Sequence, residues 1–337
     1  MSPMPSLHDG SPPDVAVEIA SGRVSAASLE MRGGQPVVAA HATETLPDGA
    51  LVPGLTAHNI RDRAIVLAAL KSVLERVGRP RRIGLLIPDI VAKVSIVRFE
   101  QVPARTQDLE QLVRWQMRKA APFPIEDAQI AYVQGLQTAE GHEFIVSMAK
   151  REIIEEYEGL CAAAGAQAGL VDLSTFNVIN AVLAGTGAPL ADPSTGSGSS
   201  RASSREDWLL VNIAADYASI ALLRGTNLIF FRSRAADTDG TLADLVHQTA
   251  MYYEDRLKGG GFARVILAGA AAAGPRQAAD IEQVRHSLEE RLTATVDTVD
   301  PRAAAALTDR IAAAPALLDT LAPLIGLLLR DRHLVNA

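Results

Sequence analysis

Short apolar runs separated by polar turns fill residues 208–234 of the chain. Residues 209–211, 218–223 and 228–231 are continuous apolar runs of strand length. Because each run is apolar on both sides, other parts of the protein are expected to cover both faces of these strands. The pattern therefore predicts strands at the centre of a domain.

The N-terminal region repeats this pattern. Residues 15–29 align without a gap on residues 209–223, and each copy reads as strand, small-residue turn and strand. The copies share six identical positions, which are Val17/Val211, Ile19/Ile213, Ala20/Ala214, Ser25/Ser219, Ala27/Ala221 and Leu29/Leu223. A duplicated hairpin that opens each half of a chain is the layout of the actin-like fold. Two unrelated hairpins are the alternative interpretation.

Between and after the hairpins, strands alternate with helices. Asn59 is predicted to cap a helix over residues 60–76, and Thr106 to cap a helix over residues 108–120. This alternation predicts an α/β protein. The further predicted helices span residues 152–164, 175–184, 242–257, 281–292 and 317–329, and the further strands span residues 83–87, 91–99, 130–133, 144–148, 168–173 and 265–267.

The chain changes character after residue 185. Residues 186–206 are rich in glycine and serine and predict a flexible linker. The linker separates a first half, residues 14–185, from a second half, residues 207–337. Residues 1–13 are rich in proline and have no apolar core segment, so they predict a disordered tail without a signal peptide.

Composition narrows the classes of function. The chain has 337 residues and a net charge of −7, and its basic residues are scattered, which argues against nucleic acid as the main partner. The single cysteine, Cys161, excludes an internal disulfide and is predicted to be a small buried residue of a helix. No apolar run reaches the length of about 20 residues that spans a membrane, so we expect a soluble protein that contacts membranes only through a partner.

Common catalytic motifs are absent from the sequence. There is no G-x-x-x-x-G-K-[ST] loop, no G-x-S-x-G elbow and no cluster of cysteines and histidines for zinc. Asp216, in the turn of the second hairpin, is predicted to cap its own backbone, with a general base as the alternative role.

Several segments in a fixed order resemble the PilM family of type IV pilus assembly proteins, which has an FtsA-like fold. They are VRWQMRKAAPFPI at residues 113–125, residues 130–132 with Tyr132, residues 147–155 followed by Gly165, VDLSTFNV at residues 171–178, residues 242–253, LAG at residues 267–269 and IGLLLR at residues 325–330.

The resemblance implies an actin-like (ribonuclease-H-like) fold with a small subdomain, about residues 91–166, inserted in the first half. It further implies a cytoplasmic scaffold of a pilus or related machine that binds the N-terminal tail of a PilN-like bitopic protein at the inner membrane. The sequence leaves open whether the protein forms homo-oligomers. The alternatives are an actin-fold small-molecule kinase and the cytoplasmic domain of a GspL-like type II secretion protein.

The resemblance also implies a site for ATP and Mg²⁺ between the hairpins. In such proteins each hairpin carries Asp-Ile-Gly, but here the hairpins read Glu18-Ile-Ala20 and Asn212-Ile-Ala214. A Cβ replaces both glycines, and the family's first-hairpin lysine falls at Ser25. We therefore expect a degenerate site with weak or absent nucleotide binding and no catalytic residues. Its predicted residues are Glu18, Ala20, Ser21, Gly22, Ser25, Asn212, Ala214, Ala215, Asp216 and Gly269.

For the partner, the resemblance points to the inserted subdomain and, within it, to the helix over residues 108–120. The predicted contact residues are Arg114, Trp115, Arg118, Lys119 and Phe123. Trp115 lies off the apolar stripe of this helix. It is therefore either an anchor for the partner or a residue packed against a neighbouring strand, and the pattern marginally favours packing.

Overall fold

A computed structural model describes residues 13–186, 207–236, 241–272, 281–308 and 311–330. The strands are β1 Val15–Ala20, β2 Arg23–Arg32, β3 Gln35–Thr45, β4 Arg82–Ile87, β5 Ala92–Phe99, β6 Ala128–Thr138, β7 Gly141–Lys150, β8 Gln167–Leu173, β9 Asp207–Ile213, β10 Tyr217–Arg224, β11 Asn227–Ala235, β12 Arg264–Ala268, β13 Val296–Thr298 and β14 Ala306–Leu307. The helices are α1 Arg63–Arg76, α2 Thr106–Met117, α3 Arg151–Ala163, α4 Ser174–Gly185, α5 Leu242–Leu257, α6 Ile281–Leu292 and α7 Pro315–Leu329.

Two large sheets repeat one arrangement of strands. The first has the order β14-β3-β2-β1-β4-β8, and the second has the order β11-β10-β9-β12-β13. In each sheet three antiparallel strands are followed by two parallel ones. The protein therefore has the predicted α/β, actin-like architecture of two related halves.

The two hairpins also share their register. Glu18 pairs with Ser25 in the first hairpin, and the aligned residues Asn212 and Ser219 pair in the second. A one-residue slip would have moved every side chain to the opposite face of the sheet. The identical register contradicts the interpretation of two unrelated hairpins.

Helices cover both faces of each sheet, as the apolar runs predict. In the first sheet, α1 and α3 pack on one face and α7 packs on the other. In the second sheet, α5 and α6 pack on one face and α4 packs on the other. Cys161 of α3 is fully buried in this core, and burial raises the pKa of its thiol to about 12. Its predicted role as a small buried residue is confirmed.

A three-stranded antiparallel sheet, β5-β7-β6, is inserted between β4 and β8 of the first sheet. Helix α2 packs on one of its faces through Val113 and Met117, which are buried. Ile96 and Ile145 of the other face pack against the core of the second half, and β5 and β6 contact β11. The inserted sheet is therefore fixed to both halves.

The predicted helix caps are wrong. Helix α1 begins at Arg63, and the Asp62 carboxylate accepts a hydrogen bond from the Ile65 amide at 3.1 Å. Asn59 is instead buried before the helix, where its side-chain amide donates hydrogen bonds to the carbonyl oxygens of Gly54 and Ala57. Helix α2 begins at Thr106 itself, after Arg105 and without a side-chain cap, and ends at Met117.

The C-terminal segment returns to the first sheet. Strand β14 pairs with β3, and α7 packs on β1, β2 and β4. Gly326 permits α7 to touch α4, since a Cβ there would lie 1.7 Å from the Asn177 carbonyl oxygen. The sequence places this segment in the second half, but in the structure it packs on the sheet of the first half. The limits of the domains stay a prediction.

Two predicted segments fall largely outside the described residues. They are the tail over residues 1–13, of which only the buried Pro13 is described, and the linker over residues 186–206, of which only Thr186 is described. Within the described part of the chain, no helix is long and apolar enough to cross a membrane.

Candidate functional site: the cleft between the halves and the outer face of α2

The turns of the two hairpins face each other across a cavity of about 540 Å³. Its walls come from both hairpins, from residues 269–272 after β12, and from α7. The predicted residues that line it are Glu18, Ala20, Ser21, Gly22, Asn212, Ala214, Ala215 and Gly269.

Ser25 and Asp216 do not line the cavity. Ser25 is buried within the first sheet, where its hydroxyl oxygen accepts a hydrogen bond from Thr43 at 3.2 Å. Burial raises the pKa of the Asp216 carboxyl, and the Ser21 hydroxyl of the opposite turn and the backbone of Asp216 itself lower it. Its Oδ1 atom is buried without a hydrogen-bond partner among the described residues, so the role of Asp216 as a cap of its own backbone stays a prediction. The contact between Asp216 and Ser21 joins the tips of the two hairpins.

Glu18 uses both of its carboxylate oxygens on protein partners. It is 4% exposed, and Ser174 donates a hydrogen bond to Oε1 at 2.8 Å. Oε2 accepts a bond from the Arg23 guanidinium at 3.0 Å, which forms a partly buried ion pair. The charge of this carboxylate is therefore balanced inside the protein.

Asn212 makes a contact between the halves. Its amide Nδ2 donates a hydrogen bond to the Thr175 hydroxyl at 2.7 Å. Thr175, at the start of α4, in turn donates to the carboxylate of Asp89 through its hydroxyl and its backbone amide. Asn212 thus belongs to a polar network that connects β9 with the first half.

Asp89 is the centre of this network. It follows β4 and is fully buried, and its carboxylate also accepts a hydrogen bond from Ser219 of β10 at 2.7 Å. Burial raises the pKa of Asp89 to about 6, against the hydrogen bonds of Ser219 and Thr175, which lower it. The backbone amide of Asp89 donates to the Tyr217 hydroxyl at 3.2 Å.

The turn after β12 requires its glycine and binds an internal carboxylate. Gly269 has a φ of +76°, and a Cβ at this position would lie 2.2 Å from the Ile213 carbonyl oxygen. Asp319 of α7 accepts a hydrogen bond from the Ala271 amide at 2.7 Å, and the Ala272 amide donates to the Gly269 carbonyl oxygen at 3.1 Å. Burial raises the pKa of the Asp319 carboxyl, against the backbone amides of this turn, which lower it. The amides of Ala271 and Ala272 are therefore already occupied by acceptors of the chain itself.

These residues do not fit the magnesium nucleotide that the resemblance implies. Glu18 and Asn212 are engaged by protein groups, and Ala20 and Ala214 place methyl groups at the two turns. In the described ranges, no group of three or more histidine, cysteine, aspartate or glutamate side chains could hold a metal ion. The degeneracy of the cleft stays a prediction.

Sequence reasoning missed Arg23, Asp89 and Asp319, although Asp89 and Asp319 each left a signal. Asp89 follows Pro88 at the carboxyl end of a buried strand, where ligand-binding or bridging side chains often lie. Asp319 is the only charged residue in α7, whose fifteen residues are otherwise almost all apolar. An ionisable residue in such a helix needs a polar partner.

The outer face of α2 is the second candidate site. Trp115 is 64% exposed, and with Gln116, Arg118 and Lys119 it lines a shallow cavity of about 210 Å³. The interpretation of Trp115 as a packing residue is therefore wrong, because α2 packs through Val113 and Met117 and leaves Trp115 on the opposite side.

The other predicted partner residues divide into two groups. Arg118 and Lys119 are exposed beside Trp115. Arg118 forms an exposed ion pair with Glu126, with 3.5 Å between its Nη2 atom and Oε1 of the carboxylate. Arg114 instead donates to the Ile125 carbonyl oxygen at 2.9 Å, and Phe123 packs against the core under α2. These two residues hold the helix and the following turn together.

Comparison with known protein families shows to which family the chain belongs. The family model described as "Type IV pilus assembly protein PilM" matches residues 16–258, which is more than half of the chain. The chain belongs to the PilM family. A search of curated proteins found no match.

Solved structures agree with this family at the level of the fold. The structure titled "PilM-PilN type IV pilus biogenesis complex" has a TM-score of 0.73 and 17% identity, covering 94% of this chain and 97% of that chain. A Bacteroides thetaiotaomicron protein described as having an actin-like ATPase fold and unknown function has a TM-score of 0.48 and 10% identity, covering 85% of this chain and 90% of that chain. The cytoplasmic domain of EpsL from the type II secretion system of Vibrio cholerae has a TM-score of 0.44 and 12% identity, covering 75% and 80%. The last two likenesses are too distant to add to the argument.

Proposed function

We propose that this PilM-family protein is a scaffold of a type IV pilus or related machine and that it does not turn over ATP. It binds the N-terminal cytoplasmic tail of a PilN-like bitopic membrane protein, which recruits it to the inner membrane from the cytoplasm. The observation that carries the proposal is the exposure of Trp115 on a helix that is otherwise firmly packed.

A rigid, exposed tryptophan is well suited to anchor a peptide. Tryptophan and arginine are enriched among the residues that dominate binding energy at protein interfaces. Here Val113 and Met117 fix α2 on the inserted sheet, so Trp115 is presented with little further loss of conformational freedom on binding. Lys119 and Arg118, of which Arg118 is paired with Glu126, place positive charge beside Trp115, and the charge of Lys119 favours a peptide with an acidic group.

The cleft supports a scaffold over an enzyme. A small-molecule kinase would need a magnesium nucleotide, and Glu18, Asn212 and the amides of Ala271 and Ala272 are committed to contacts within the protein. The alternative of a GspL-like protein has no observation in its favour.

The test measures the affinity of a synthetic peptide of the partner's N-terminal tail for the full chain. We expect Trp115→Ala to weaken binding by about 2 kcal/mol, which is roughly thirtyfold, with the melting temperature unchanged. Tyr252→Ala is the matched control, because Tyr252 is an exposed aromatic residue on α5 of the second half. Equal affinity of wild type and a stably folded Trp115→Ala variant would remove α2 from the site, and failure of the wild type to bind the tail would overturn the proposal.

A further inference from the structure

Two side chains of the first sheet's layer reach across the mouth of the cleft to the turn after β12. Asp319 projects from α7, which packs on the first sheet, and Arg23 begins β2 of that sheet. Both contact residues 269–272, which follow β12 of the second sheet. They therefore connect the two halves at the place where a ligand of both halves would lie.

Asp319 occupies an anion-binding arrangement of backbone amides. The Ala271 N–H donates to its carboxylate at 2.7 Å, in a turn that the left-handed conformation of Gly269 shapes. The neighbouring amides of Gly269 and Ala272 also favour the ionised carboxylate. Such a set of successive amides forms a concave site that attracts an anionic group. Asp319 is buried, so its carboxylate is hydrogen-bonded by the protein and is largely shielded from solvent.

Arg23 completes the connection. Its terminal nitrogen Nη2 donates to the Glu18 carboxylate at 3.0 Å, and its terminal nitrogen Nη1 donates to the Ala272 carbonyl oxygen at 3.0 Å. Burial raises the pKa of the Asp319 carboxyl, and the amides of the turn and the positive charge of Arg23 act against this rise. One guanidinium thus links the first hairpin, the turn after β12 and the carboxylate on α7.

We propose that Asp319 and Arg23 form a built-in latch that holds the two halves closed over the cleft without a nucleotide. The Asp319 carboxylate takes the place that an anionic group of a ligand would occupy in the amide cradle of residues 269–272. A ligand that binds both halves favours the closed state only while it is bound. The latch is part of the chain, so its effective concentration is constant and closure does not depend on a cofactor.

The inference is separate from the proposed binding of a partner at α2, because no residue of the latch lies on that surface. It also differs from loss of the nucleotide site alone. A protein that had only lost its ligand contacts would have free amides in the turn and a cleft free to open. The latch predicts occupied amides and a fixed distance between the halves.

The first experiment is chemical rescue of Asp319→Ala in the full chain. Removing the carboxylate leaves room for formate, and we expect hydrogen exchange at the Ala271 amide to rise by roughly tenfold or more as its charged acceptor is lost. Formate should restore protection and melting temperature in a saturable manner, whereas sodium chloride at the same ionic strength should not. Unchanged exchange at Ala271 in folded Asp319→Ala would overturn the proposal, and so would rescue by chloride equal to that by formate.

Asp172→Ala is the matched control. Asp172 accepts a hydrogen bond from Arg330 at 2.6 Å and so holds the end of α7, but it does not cross the cleft. Its loss should leave exchange at Ala271 unchanged and show no formate rescue. If Asp319→Ala does not fold, Asp319→Asn keeps an acceptor without the charge, and exchange at Ala271 should still rise above wild type. Wild-type exchange in that variant counts against the latch.

The second experiment measures closure directly by electron-spin distance measurements between labels at Asp48→Cys and Gln283→Cys. Both positions are exposed, one beside the first sheet and one on α6, and buried Cys161 is not available to the label. We expect one narrow distance distribution in the labelled protein with or without Mg-ATP, and a broader one extending to longer distances after Asp319→Ala or Arg23→Gln. A narrow distribution that survives both substitutions would show that the halves are held by other contacts.

Discussion

The first and second hairpins have the same register but use their polar residues differently. In the first, Glu18 bonds to Arg23 of its own hairpin, and the aligned serine, Ser25, bonds to Thr43 of its own sheet. In the second, Asn212 and Ser219 bond to Thr175 and Asp89, which belong to the first half.

This difference shows how a duplicated backbone acquires two roles. The apolar positions that face the cores are shared, so both copies fold alike. The polar positions at the cleft are free to change, and those of the second copy have become contacts between the halves.

The largest expected effect concerns the buried carboxylate on which the second hairpin depends. The pKa of Asp89 is raised from 3.8 to about 6, so the folded state binds a proton more readily than the unfolded state between these values. The free energy of unfolding contributed by Asp89 is therefore highest at low pH and falls as the pH rises through about 6. As the pH rises from 4 to 7, the free energy of unfolding of Asp89→Asn should therefore increase relative to that of wild type by on the order of 3 kcal/mol.

Urea unfolding of both proteins across this range of pH measures the effect. Asp48→Asn, at an exposed carboxylate, corrects for the general loss of one negative charge. Parallel pH dependence of wild type and Asp89→Asn would mean that Asp89 is not a strained buried charge, and the contrast between the hairpins would then rest on geometry alone.

The next effect compares the aligned serines directly. Both Ser25 and Ser219 are fully buried, but only Ser219 donates to a carboxylate. Loss of a hydrogen bond to a charged group costs about 1.5–3 kcal/mol, whereas loss of a neutral one costs about 1 kcal/mol. Ser219→Ala should therefore lower the free energy of unfolding at pH 7 by about 1 kcal/mol more than Ser25→Ala. Equal losses in the two variants would contradict the assignment of different roles to the two hairpins.

The smallest effect is expected from Mg-ATP. A ligand at 1,000 times its dissociation constant adds about 4 kcal/mol to stability, and we expect the wild-type protein to gain well under 1 kcal/mol. Binding should strengthen in a variant with Ala20→Gly, Ala214→Gly and Asn212→Asp, and strengthen further when Asp319→Ala also frees the amide cradle. A large, saturable rise in the wild-type melting temperature at sub-millimolar ATP would refute the loss of nucleotide binding.

Local patterns in the sequence determined the strands, most of the helices and the repeated hairpin. Helix α5 occupies the predicted residues 242–257, and the gapless alignment of the hairpins matches their register in the structure. These features depend on the spacing of apolar residues along a short segment, which is written in the sequence itself. The membership in the PilM family, which rested on the order of several such segments, is confirmed.

Tertiary structure alone decided which polar side chains meet. Arg23 is 249 positions from Ala272, and Asp319 is 48 positions from Ala271, so no local pattern relates either pair. It also decided that Trp115 is exposed, because the neighbouring strand that could have covered it lies on the opposite side of α2. The apolar periodicity of a segment depends on its own sequence, whereas the partner of a buried charge depends on how the whole chain packs.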